Sequence, residues 1–155
     1  MEYLIWKWLH VLSSTLLFGT GLGTAFFMFF ANRSGDVRAI AVVTRNVVIA
    51  DWLFIATTVI FQPLSGLMMM HLASIPLLAK WIWVSFVLYF VAGVCWLPVV
   101  WIQMRMRDLA RDAAATNATT LPARYWAYER VWVLLGIPAF VSLVIVFYLM
   151  VAKPA

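Results

Sequence analysis

LIWKWLHVLSSTLLFGTGLGTAFFMFFA, residues 4–31, decides how the rest of the chain is read. It is an uninterrupted apolar run in which Lys7 is the one charged residue. At 1.5 Å per residue it exceeds the roughly 20 residues that a helix needs to cross a hydrocarbon core about 30 Å thick. Three features stand out in it: Tyr3, Trp6 and Trp8 as an aromatic belt at headgroup level, His10 inside the run, and the small residues Gly19, Gly21 and Gly23. An imidazole in hydrocarbon is costly, so His10 is a functional candidate. Gly19 and Gly23 form a small-xxx-small pair that lets another helix approach closely.

The remainder of the chain repeats this composition. Of 155 residues, 66% are hydrophobic and only 11% charged, and the mean hydropathy is +0.98. A soluble domain has about 25% charged residues, which excludes that class. Four spans are expected, at about 4–31, 42–70, 77–103 and 132–151, in one antiparallel bundle with the fold class all-α. The short second connection, Leu72 to Pro76, makes the second and third spans neighbours. No basic n-region precedes the first span, which is therefore read as permanent rather than as a signal peptide.

The net charge of +5 is a topology signal and not a nucleic-acid face. All eight arginines (Arg33, Arg38, Arg45, Arg105, Arg107, Arg111, Arg124 and Arg130) lie in or beside the first and third connections, whereas Lys7, Lys80 and Lys153 belong to the opposite side. The positive-inside rule puts the arginine side in the cytoplasm and both termini in the periplasm, as expected of a bacterial inner-membrane protein. The sole cysteine, Cys95, excludes an intrachain disulfide.

The second span carries Asp51, Thr58, Gln62 and Ser65, seven, four and three residues apart. That spacing puts a carboxyl, a hydroxyl, an amide and a second hydroxyl on one helix face, expected to turn into the bundle. Pro63 in the same stretch predicts a kink with a freed backbone carbonyl. For Asp51 three readings stay open: an ion pair with Arg124 or Arg130 that locks the second and fourth spans, a protonated hydrogen-bonded acid, or a proton or metal-ion relay through Thr58 and Gln62.

With the termini on one side, His10 descends from that side and His71 arrives at it. Neutral imidazole is a common metal ligand and an axial ligand of haem iron, so His10 and His71 are candidates for ligating haem b or a metal ion. The plainer reading gives His10 a hydroxyl partner and lets His71 end its helix at the interface. Lys80 either pairs with a haem propionate or snorkels to the headgroups. Met68, Met69 and Met70 beside His71 hint at copper(I), but consecutive residues on a helix point apart. No hydrolase motif is present.

Taken together, Lys7-Trp8-Leu9-His10 with its glycine-rich continuation, Gln62-Pro63-Leu64-Ser65-Gly66-Leu67 and the closing Met150-Val151-Ala152-Lys153-Pro154 resemble a family of bacterial integral membrane proteins classed as a domain of unknown function, DUF2269. The resemblance spans nearly the whole chain. That family is in turn similar to CopD-like copper-resistance membrane domains and to HemJ, the haem-containing protoporphyrinogen oxidase. By that likeness His10 and His71 would be haem-side residues and Lys80 the lysine important for a haem-dependent membrane oxidoreductase. The arginine-containing motif that comes after the first helix in HemJ is not found here. Two other functions fit the residues themselves: an accessory protein that packs on a membrane partner, or on a second copy, through Gly19 and Gly23, and ion transport along the Asp51 stripe.

Overall fold

The computed structural model describes residues 1–154, and their secondary structure is helical throughout. Helix α1 spans Glu2–Ser34, α2 Val37–Ala50, α3 Ala56–Leu72, α4 Lys80–Ala115 and α5 Ala123–Ala152. A π-helical turn, Asp51–Ile55, joins α2 to α3 without a break, so Val37–Leu72 is one crossing. The described residues therefore form four helices long and apolar enough to cross a membrane. Each runs past the apolar window that marks it in the sequence, because hydropathy reports only the lipid-facing length. The largest extension is α4, which runs from Gln103 on to Ala115, and α5, which takes in Tyr125, Trp126 and Tyr128, shortens the third connection further, to residues 116–122.

Local chemistry sets the turns. Gly35 closes α1 with φ of 70°, a left-handed conformation that glycine adopts without a side-chain clash. Asp36 then caps α2, its Oδ1 accepting from the amides of Arg38 at 2.8 Å and Ala39 at 3.2 Å. Two residues thus reverse the chain. In the third connection Asn117, at φ of 52°, accepts a hydrogen bond from Arg38 Nη2 at 2.9 Å, tying that loop to the start of α2.

The bundle is packed unevenly. At its arginine-rich end Met28, Ile40, Val47, Ile102, Met106, Ala110 and Tyr125 form a continuous core joining α1, α2, α4 and α5. A buried polar cluster sits within it: Tyr125 donates its hydroxyl to Asn32 Oδ1 at 2.6 Å, and Asn32 Nδ2 donates to Glu129 at 3.1 Å. Toward the other end the helices separate into two pairs, α1 with α3 and α4 with α5, and a cavity opens between them. Outward-facing Leu, Ile, Val, Phe and Trp side chains cover the surface, as a hydrocarbon solvent requires.

Candidate functional site

Two polar arrangements occupy the membrane interior, and the π turn separates them. All four residues of the sequence stripe are buried: Asp51, Thr58, Gln62 and Ser65. They do not share one face. An α-helix advances 100° per residue, but the π turn inserts an extra residue, seen in the bond from the Ala56 amide to the Asp51 carbonyl, and rotates α3 relative to α2. Asp51, Ile55 and Val59 accordingly face the cavity, while Gln62 and Ser65 face α1. Thr58 spends its hydroxyl on the carbonyls of Phe54 and Ile55 within its own helix. No continuous hydrogen-bonded wire links the four.

The first arrangement is a clasp between α1 and α3. His10 Nδ1 lies 2.7 Å from Ser65 Oγ, and Gln62 Nε2 donates to the main-chain carbonyl of His10 at 3.0 Å. Ser65 also donates to the Phe61 carbonyl at 2.8 Å. With that proton so directed, Nδ1 carries the imidazole hydrogen and Nε2 keeps its lone pair. Gly66 borders the ring, and a Cβ there would make ordinary contact with His10 Cε1 at 3.6 Å. Trp6 stacks on Phe61 one turn toward the termini. The hydroxyl partner expected of His10 under the plainer reading is Ser65.

His71 is not brought to this clasp. It is exposed in the last turn of α3, six residues and so about 240° around the helix from Ser65. His71 and Ser65, the partner of His10, therefore lie on different faces of α3. Lys80 is exposed at the first residue of α4. Among the described residues no cluster of three or more His, Cys, Asp or Glu is poised to hold a metal ion.

The second arrangement is the cavity itself, about 440 Å³, with walls from α1, the π turn, α3, α4 and α5. Its lining is largely apolar, including Leu17, Phe18, Ile55, Ala92 and Phe140. Exposed Leu22 on α1 and Ile137 and Val141 on α5 form its rim, so its mouth faces the lipid between those helices. At its inner end Asp51 is only 3% exposed and Gln103 only 5%. Asp51 Oδ1 and Gln103 Oε1 are buried oxygens without a partner. Trp96 Nε1, on the same lining, is a buried donor without a partner.

The expected ion pair of Asp51 with Arg124 or Arg130 is not formed. Every salt bridge among the described residues joins Arg107 or Arg111 to Asp108 or Asp112. Arg124 turns to the Tyr128 hydroxyl at 3.1 Å, and Arg130 is exposed. The early start of α5 carries both arginines onto an outer helical surface, away from the cavity.

Tyr89 lines the cavity and donates its hydroxyl to the Val59 carbonyl at 2.8 Å. That carbonyl is the one Pro63, lacking an amide hydrogen, leaves free in α3. Gly19 and Gly23 do not serve packing within the chain, because a Cβ at either meets nothing within 4 Å. The contact on that helix is instead at Gly21, whose Cβ would lie 3.9 Å from Ile55 Cδ1. Gln103 and Trp96 are legible in the sequence only as polar atoms in an apolar run, with no partner indicated for either.

No curated protein and no solved structure matches the chain. The match that is found covers residues 4–154 and is to the family described as predicted integral membrane protein (DUF2269). With nearly its whole length covered and four membrane-length helices, the chain belongs to the DUF2269 family of integral membrane proteins.

Proposed function

We propose that the protein binds a lipid-soluble amphiphile in its intramembrane cavity, head group inward at Asp51, Gln103 and Trp96 and tail leaving between α1 and α5. One observation supports this reading above the rest: three buried polar atoms without partners, Asp51 Oδ1, Gln103 Oε1 and Trp96 Nε1, border one apolar cavity. Each such atom costs about 1–3 kcal/mol if left unpaired. A head with two donors and an acceptor satisfies all three, and a single hydroxyl, with one proton to give, satisfies the indole and one of the oxygens. The cavity volume falls in the range of about 300–1,000 Å³ usual for small-molecule sites. A π turn at the acidic residue fits as well, since such turns recur at functional sites.

The test is photolabelling of purified protein with a diazirine derivative of a long-chain alcohol. Labelled peptides should come from the lining, around Gly93 and Gly136, with unlabelled alcohol competing and the matching alkane not. Asp51→Leu combined with Gln103→Leu should abolish the preference for alcohol over alkane. Labelling that ignores both the competitor and the double substitution would overturn the reading.

A single-axial haem b on His10 is a second reading, favoured by one feature of the clasp. The Nδ1 contact to Ser65 fixes the ring and frees Nε2, the arrangement of a histidine ready to ligate. Protein purified from haem-replete cells would then carry a Soret band that His10→Ala removes; no Soret band in the parent protein would dismiss it. In either reading the arginine-rich end faces the cytoplasm of a bacterial inner membrane, as the positive-inside rule directs.

A further inference from the structure

Away from the cavity, a second concavity of about 530 Å³ lies between α2 and α4 at the arginine-rich end. From α2 it takes Val42, Arg45 and Ile49, which the helical repeat of 3.6 puts on one face. From α4 it takes Arg107 and Arg111, one turn apart. The cationic side is partly neutralised already. Arg107 Nη2 is 2.8 Å from Asp108, and Arg111 Nη2 is 2.9 Å from Asp112. Arg45 has no ion-pair or hydrogen-bond partner among the described residues, so three arginines face two carboxylates and one positive charge is left over. Ile49, 51% exposed and one turn deeper on α2 than Arg45, continues the concavity from the arginines toward the membrane interior, while Val42, 60% exposed, lies between Arg45 and the connection.

We propose that this concavity is a binding site for an anionic glycerophospholipid of the arginine-side leaflet. Its phosphate sits among Arg45, Arg107 and Arg111, and an acyl chain runs inward along Ile49. Charge complementarity selects the anion, because the unpaired Arg45 is a fork of donors matched to phosphate oxygens. The apolar continuation selects lipid over free phosphate: an inorganic ion would leave Ile49 facing solvent lipid unchanged. Arg107 and Arg111 lie just beyond the apolar length of α4 and Arg45 at the outermost turn of the second span, at the level of that leaflet's headgroups, and juxtamembrane cations attract anionic lipid. This site is independent of the cavity at Asp51.

Native mass spectrometry of the whole protein in mild detergent tests the assignment, with phosphatidylglycerol, phosphatidylcholine and inorganic phosphate as probes. Phosphatidylglycerol should stay bound in preference to phosphatidylcholine, and inorganic phosphate in large excess should not displace it. Binding should fall about fivefold for each arginine removed, in Arg45→Gln and in Arg45→Gln with Arg107→Gln. Arg45→Gln alone touches an exposed, unpaired side chain and leaves folding intact, so it reads the site even if the double variant does not fold. Equal retention of the two lipids, retention unchanged in Arg45→Gln, or displacement by phosphate alone would each overturn the proposal, the last by making it a site for a free anion.

Discussion

Tyr89 on α4 donates its hydroxyl, at 2.8 Å, to the main-chain carbonyl of Val59, the group that Pro63 deprives of its amide partner four residues on. A break in the hydrogen bonding of one span is thus closed by a side chain from another. The pairing also holds α4 against α3 beside the cavity, where these two helices have few other contacts.

Tyr89→Phe should therefore lower stability by about 0.5–2 kcal/mol, read from unfolding in a graded detergent mixture. In a Pro63→Ala background the restored amide takes over the carbonyl, and the same substitution should cost much less. A double-mutant cycle without coupling between positions 63 and 89 would contradict this account.

Ser65→Ala removes the hydroxyl that meets His10 Nδ1, and Gln62→Leu removes the donor to the His10 carbonyl. Each should destabilise by about 1 kcal/mol, and their effects should be non-additive because both act on one clasp. His71→Ala, at an exposed position, should change stability by no more than about 0.5 kcal/mol under the same measurement.

Asp51→Leu and Gln103→Leu should leave stability unchanged or raise it, since each removes a buried oxygen that has no partner. Binding of a long-chain alcohol should fail in both. A melting temperature that drops by several degrees in Asp51→Leu would mean that the carboxyl serves the fold rather than a ligand.

Gly19→Ala and Gly23→Ala should be neutral or stabilising by up to about 1 kcal/mol in the isolated chain, because alanine is the better helix former and the new methyl meets nothing. If the glycine face instead docks on a partner or on a second copy, Gly19→Leu with Gly23→Leu will dissociate a cross-linkable complex while the monomer's own stability stays put.

The four crossings are legible in the sequence because apolar length alone specifies them, and the burial of Asp51, Thr58, Gln62 and Ser65 agrees with their spacing. Their division into two groups is not legible, since a π turn adds one residue to a helix without altering its composition: Asp51-Trp52-Leu53-Phe54-Ile55 reads like any apolar turn. Helical rise puts Tyr89 about 13 Å beyond Lys80, inside the span, but nothing in the sequence names its partner on another helix. Gln103 looks like the edge of a span because the arginines begin two residues later. For His10 the sequence offers a hydroxyl partner or an iron. The hydroxyl is Ser65, while the choice of Asp51 over the histidines as the centre of interest comes only with the cavity.

The surplus residue at 51–55 ties together two jobs that look separate. Because one crossing serves both the α1 clasp and the acid beneath the cavity, the angular offset between them is set by that turn alone. Loss of a single residue there would keep every side chain elsewhere and still swing either the clasp or the carboxyl out into lipid. Insertions and deletions in this turn should hence be far more damaging than point changes to its exposed Trp52, Leu53 or Phe54.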